Sequence, residues 1–134
     1  IGFKNYLPER DGMLGGLLLL EMVIAENKSL EQLVKDTHRE FGSYFYLRKD
    51  LKCAPSEKGK IRTRLAMMRK RKTFLAVAIS KVKDSDGLKF HLKDGSWILF
   101  RLSGTEPILR IYAEADKLSR TRRLIAEGAR WIRN

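Results

Sequence analysis

Between two runs of alternating apolar residues lies the stretch Arg101-Leu102-Ser103-Gly104-Thr105-Glu106-Pro107, with Arg110 close behind it. These residue types suit the binding of a tetrahedral oxyanion. Ser103 and Thr105 supply hydroxyls. Gly104 lacks a Cβ, so the chain can turn there through conformations closed to other residues and aim successive backbone N–H groups at one anion. Arg101 and Arg110 flank the turn, and guanidinium groups make charge-assisted, bidentate contacts to phosphate oxygens. Glu106 is expected to point away from such an anion and tie down a neighbouring arginine or backbone group. By composition alone the stretch also fits a plain connector, since Gly, Ser, Thr and Pro are ordinary turn residues.

Strands must hold this loop. From Phe74 to Ala115 the pattern is β-like: Leu75, Val77 and Ile79 alternate, then Leu88, Phe90 and Leu92, then Trp97, Leu99 and Arg101. Ser85-Asp86-Gly87 and Asp94-Gly95 are turn signals, the second read as a two-residue hairpin loop. Tyr44 to Cys53 reads as a further strand, and Ala54-Pro55-Ser56 introduces a helix from about Glu57 to Arg71 with an apolar stripe of Ile61, Leu65 and Met68. A last helix, Asp116 to Ile132, puts Leu118, Thr121, Ile125, Gly128 or Ala129, and Ile132 on one face. Trp97 and Trp131 read as core anchors. The order is strand, helix, three strands, a loop, one more strand and a helix, which describes an α+β domain with helices covering one face of an antiparallel sheet.

Upstream, two helices are expected. Asp11 caps the first, whose Met13, Leu14, Leu17, Leu18, Leu20, Val23 and Ile24 leave it apolar on nearly every side. Ser29 opens the second, with Gln32 as its capping-box partner, and Gly42 closes it. Two such helices cannot enclose a core, so residues 1–42 read as the trailing end of a larger preceding domain and 43–134 as a domain in themselves. The start at Ile1 fits a fragment whose N-terminal part is absent. A helix so apolar is expected to bury itself against its own chain or a second copy.

The 28 Lys and Arg against 16 Asp and Glu give a formal charge of +12, which makes an anionic partner the first class to consider. Much of that charge lies in the helix after Pro55, where Lys58, Lys60, Arg62, Arg64, Arg69, Lys70 and Arg71 suggest either a solvated face or a small nucleic-acid-binding module. Few aromatic residues interleave with them, which favours the solvated face. With 43% hydrophobic residues the chain should fold rather than remain disordered. The apolar run from Met13 to Ala25 is broken by Glu21 and falls short of the roughly 20 residues that cross a membrane. Cys53 stands alone, so it forms no internal disulfide and no cysteine metal site, and it fits a reducing, cytoplasmic setting. His38 and His91 lie far apart without spaced ligand partners and read as surface or packing residues.

Residues 101–107 resemble the phosphate-binding signature of the C-terminal domain of the α-D-phosphohexomutases, the phosphoglucomutase/phosphomannomutase superfamily, usually written Arg-Pro-Ser-Gly-Thr-Glu-Pro. Leu102 departs from it where Pro is common. Asp94-Gly95-Ser96-Trp97 and Arg110-Ile111-Tyr112-Ala113-Glu114 resemble the flanking strands. Glu9-Arg10-Asp11-Gly12, Leu18-Leu19-Leu20-Glu21 and Lys28-Ser29-Leu30 are similar to the tail of the family's third domain.

The resemblance implies a four-stranded antiparallel sheet with helices on one face, like that of the TATA-box-binding protein, preceded by a two-helix remnant of an α/β domain. It implies phosphate or hexose phosphate binding by Arg101, Ser103, Gly104, Thr105 and Arg110. Arg10 matches a basic position that reaches toward the family's active site. The parent enzymes transfer a phosphoryl group between the 1- and 6-positions of a hexose through a bisphosphate, using a phosphoserine, an aspartate-held magnesium ion and a sugar loop. None of these three loops is in this sequence, so no catalytic or metal residue is assigned, and the chain is expected to bind phosphate weakly and catalyse nothing without its missing N-terminal domains.

Overall fold

The computed structural model describes Lys4, Tyr6 and residues 9–133, which fall into two compact units, Ile1–Gly42 and Ser43–Asn134. In the first, helix α1 (Gly12–Glu26) starts where the Asp11 carboxylate accepts from the Leu14 N–H at 2.9 Å. It stops at Asn27, whose left-handed φ of 49° returns its N–H to the Ile24 carbonyl. Helix α2 (Leu30–Phe41) opens on the expected capping box, with Ser29 Oγ accepting from the Gln32 N–H and Gln32 Oε1 accepting from that of Ser29. Neither helix buries a residue: Met13, Leu17 and Ile24 are 82%, 64% and 70% exposed.

The second unit contains β1 (Phe45–Lys52), a short 3-10 turn at Pro55–Glu57, α3 (Lys58–Met68), β2 (Thr73–Phe74), β3 (Val77–Lys83), β4 (Leu88–Leu92), β5 (Trp97–Leu102), β6 (Ile108–Ala115) and α4 (Leu118–Arg133). The strands form one antiparallel sheet in the order β1-β6-β5-β4-β3-β2. The sheet therefore has six strands rather than four. β1 pairs along the whole of β6, and Thr73-Phe74 folds back on β3 through Leu75 and Ala76, which take φ of 46° and 63°. Two successive positive φ values match the strand twist of a tight hairpin, but no Gly or Asn marks the turn, and sequence periodicity ran through it. The Asp94-Gly95 loop also differs: Leu92 pairs with Ser96, leaving three residues, Lys93 to Gly95, with Gly95 at φ 84°.

Period-two alternation sends Leu88, Phe90, Ile98, Phe100, Leu109, Ile111 and Ala113 to one face, where α3 and α4 cover them. Phe74, Phe90 and Phe100 are fully buried there, with ring centroids 5.1–6.4 Å apart. Each such ring is worth about 3–5 kcal/mol against truncation to Ala. Thr121 Oγ1, buried under α4, donates to the Phe45 carbonyl at 2.8 Å and ties that helix to β1. Trp97 is not a core anchor. It shares a strand with Ile98 and Phe100 in the opposite phase, so it lies half-buried on the other sheet face, and Leu124 rather than Leu118 enters the core from α4.

Candidate functional site: a basic cleft at the end of strand β5

β5 and β6 position the loop. Their register sets Arg101 directly opposite Arg110, so both guanidinium stems leave the same sheet face. The loop closes where the Ser103 N–H donates to the Ile108 carbonyl at 3.0 Å, and the Cys53 N–H, just past β1, holds the Pro107 carbonyl at 2.9 Å. Ser103 is buried, and its Oγ accepts from the Glu106 N–H at 3.1 Å. That leaves its hydroxyl hydrogen available to donate elsewhere.

A cleft of about 460 Å³ opens here. Arg101, Ser103, Gly104, Thr105 and Arg110 all line it, so five of the six residues singled out by sequence share one cavity. Arg10 belongs to the first unit, where it is exposed and donates its backbone N–H to the Glu9 carboxylate.

Gly104 does not use the conformational freedom expected of it. Its φ lies outside the left-handed region, and a Cβ built on it would meet nothing within 4 Å. Neither backbone strain nor packing requires glycine at this position. Gly87, on the opposite lip of the cleft, is the reverse case: its φ is +92° and a Cβ would sit 2.5 Å from the Phe100 carbonyl oxygen. That close approach presses the Ser85-Asp86-Gly87 turn onto β5 and brings Asp86 to Arg101, whose Nε lies 3.0 Å from Asp86 Oδ1.

Arg101 and Arg110 thus each have a carboxylate partner, since Glu106 pairs with Arg110, the neighbouring arginine it was expected to tie down. The Nε of Arg110 is buried without a hydrogen-bond partner. Asp50 stands opposite Arg110 on β1; its carboxyl is held below the usual range chiefly by hydrogen bonds from Arg48 at 2.7 and 2.5 Å, with the field of Arg110 adding to them.

Helix α3 contributes residues that sequence reasoning passed over as solvated. Lys58 Nζ donates to the Ser103 carbonyl at 3.1 Å, and Arg62, one turn later on the same helical face, lines the cleft beside Leu65. Arg62 has no carboxylate within ion-pair distance among the described residues. The i, i+4 spacing of two basic residues was the available signal. The remaining basic residues of this segment are mostly engaged one by one: Arg64 with the Ile132 carbonyl, Arg69 with Asp84 and Arg71 with Glu127.

Residues 63–130 match the family described as the phosphoglucomutase/phosphomannomutase C-terminal domain. The chain belongs to that family. Among mutases related to this phosphoglucomutase/phosphomannomutase C-terminal domain, a phosphoglucosamine mutase of Methanocaldococcus jannaschii is 32% identical over 92% of the chain and 25% of its own length. A phosphopentomutase of Thermococcus kodakarensis is 39% identical over 72% of the chain and 20% of its own length. A phosphoglucomutase/phosphomannomutase of the same organism is 26% identical over 97% and 26%. The chain spans about a quarter of the length of the curated relatives it matches. Among the described residues no helix is long and apolar enough to cross a membrane, and no group of three or more His, Cys, Asp or Glu could hold a metal ion.

Proposed function

We propose that residues 43–134 form the phosphate-gripping domain of a larger sugar-phosphate mutase and hold the phosphate that is not reacting while the other is transferred. Residues 1–42 are then the end of the preceding domain. The convergence of Arg101, Ser103, Gly104, Thr105 and Arg110 on one cleft carries this reading.

A phosphate monoester brings close to two negative charges and several strong acceptor oxygens. The cleft offers hydroxyl donors at Ser103 and Thr105, the guanidinium groups of Arg62, Arg101 and Arg110, and the field of Lys58. Phosphoryl transfer is catalysed mainly by positioning and charge stabilisation, and a grip of this kind supplies both at a distance from the reacting centre. A magnesium ion serving that reaction would be held by other parts of the parent enzyme. A grip on phosphate alone does not select the sugar. The relatives are named for glucosamine, pentose and glucose or mannose phosphates, a spread that fits a shared phosphate site and a sugar-reading element elsewhere.

The test is a titration of the isotope-labelled chain with inorganic phosphate and with a hexose phosphate, followed by backbone NMR. The amides of Ser103, Gly104 and Thr105 are expected to respond first, and Arg101→Ala to abolish the response. An unresponsive loop in the native chain, together with broad shifts along Lys60 to Arg71 on adding an oligonucleotide, would refute the reading.

A further inference from the structure

The sheet face turned away from α3 and α4 carries rows of side chains set by strand register. One row runs Glu114, Trp97, His91, Lys81 across β6, β5, β4 and β3, and the next runs Tyr112, Leu99, Lys89, Lys83. Three lysines therefore surround one histidine: Lys81 opposite it, Lys89 on its own strand, and Lys83 opposite Lys89. Like charges paired across strands repel. None of the three has a carboxylate within ion-pair distance among the described residues.

Two further observations distinguish this cluster from a scatter of surface lysines. Lys89 is held in place, with Nζ 3.8 Å from the centre of the Trp97 ring, and Trp97 is itself fixed by donating from Nε1 to Glu114 at 2.9 Å. This leans Lys89 diagonally toward β5, over the member of the His91 row that stands there. The Nε2 of His91 is buried and has no hydrogen-bond partner. Burial, and then the fields of Lys89, Lys83 and Lys81, hold this imidazole below its ordinary pKa.

Edge protection explains only part of the arrangement. β2 pairs with β3 no further than Ala78, so Lys81 and Lys83 lie on an open edge, where lysine deters unwanted strand pairing. Lys89 and His91 stand on β4, an interior strand with partners on both sides, where that purpose is absent.

We propose that Lys81, Lys83, Lys89 and His91 form a second anion site on this sheet face, taking a small, multiply charged oxyanion of the phosphate or diphosphate class. Same-face neighbours stand about 7 Å apart along a strand and about 5 Å apart across strands. From backbone positions so spaced, the flexible stems of Lys81 and Lys83 can bring their ammonium groups to the oxygens of one anion beside His91. A nucleic-acid base is a poorer fit, since Lys89 already occupies a face of the Trp97 ring and Tyr46 stacks on Tyr112 at 27°.

Arg101 lies one row beyond Leu99, so the experiment must separate this site from the cleft. The full chain is titrated with inorganic pyrophosphate at matched ionic strength, following the His91 ring and the β3–β4 amides separately from Ser103, Gly104 and Thr105. The expected result is a saturable shift at His91, an upward move in its titration midpoint, and binding about tenfold or more weaker in both Lys81→Ala and Lys83→Ala. The loop response should survive in both variants, which also reports that they fold, and Arg101→Ala should leave the His91 response intact. A drift at His91 equal to that caused by sodium chloride, or a His91 response lost with Arg101→Ala, overturns the proposal. So does a single-stranded oligonucleotide that moves Tyr46 and Tyr112 while pyrophosphate leaves His91 unmoved.

Discussion

Gly104→Ala separates a structural glycine from a ligand-binding one. Because its φ is already accessible to alanine and a Cβ there meets nothing within 4 Å, the substitution brings no clash and no strain. It also removes conformational freedom from the unfolded chain, so stability should hold or rise by up to about 1 kcal/mol. Phosphate affinity should move the other way. A methyl group between the loop and an approaching oxygen displaces one charge-assisted hydrogen bond, about 1.5–3 kcal/mol, which is a loss of about tenfold to a hundredfold. Gly87→Ala is the control for the same cleft: at φ +92°, with a Cβ 2.5 Å from the Phe100 carbonyl oxygen, it should cost about 2–4 kcal/mol from backbone strain and overpacking together. Urea unfolding followed by tryptophan fluorescence reads the right unit, since both tryptophans, Trp97 and Trp131, lie in the second one. Calorimetric or NMR titration with phosphate gives the affinity. Loss of more than about 1 kcal/mol in Gly104→Ala would make the glycine structural, and unchanged affinity would remove phosphate from its neighbourhood; either result refutes the reasoning.

Three further outcomes are expected. Ala76→Gly should raise the urea midpoint by an amount worth about 0.5–1 kcal/mol, because relief of the left-handed φ of 63° exceeds the entropy cost of glycine; an unchanged or lower midpoint would contradict the strained-turn account. His91 has a folded pKa below its ordinary 6.5, so at mildly acid pH the unfolded chain binds the proton more readily: stability is full above pH 6.5 and falls as the pH drops toward the folded value. His91→Gln should flatten that slope between pH 5 and 8 in unfolding curves. The exposed Met13, Leu17 and Ile24 of α1 should drive concentration-dependent self-association, visible by light scattering and weakened by Leu17→Asp; a monomer at all concentrations with residues 1–42 disordered would rule this out.

Those expectations depend on features of differing visibility in the sequence. Caps with dedicated side chains were plain to read, as at Asp11 and at the Ser29–Gln32 box, because each chemistry is local. The phase of a strand is less local. In β5, Trp97 and Leu99 alternate with Ile98 and Phe100, both sets are apolar, and only the placement of α3 and α4 decides that the second set is core. The turn at Leu75-Ala76 gave no signal because tertiary contacts hold it: the Leu75 N–H donates to Glu127 Oε2 at 2.8 Å, and Leu75 packs on the core. The cleft was legible on one side only. Its loop is contiguous in sequence, whereas Lys58, Arg62, Asp86 and Gly87 arrive from two other elements and join it only once the sheet is formed.

The late-arriving acid explains how two arginines can face one another across β5 and β6. Without counter-ions, Arg101 and Arg110 would repel and their side chains would spread into solvent. Asp86 and Glu106 offset this at low commitment: their side chains are 73% and 54% exposed, and ion pairs so open to water contribute about 1 kcal/mol or less. A carboxylate held that weakly orients a guanidinium yet yields to a dianion that accepts bidentate contacts from more than one arginine. Arg62, with no such partner, adds positive field without needing release. In the proposed phosphate grip this balance serves both binding and release, since arginines neutralised by buried carboxylates would bind phosphate too feebly.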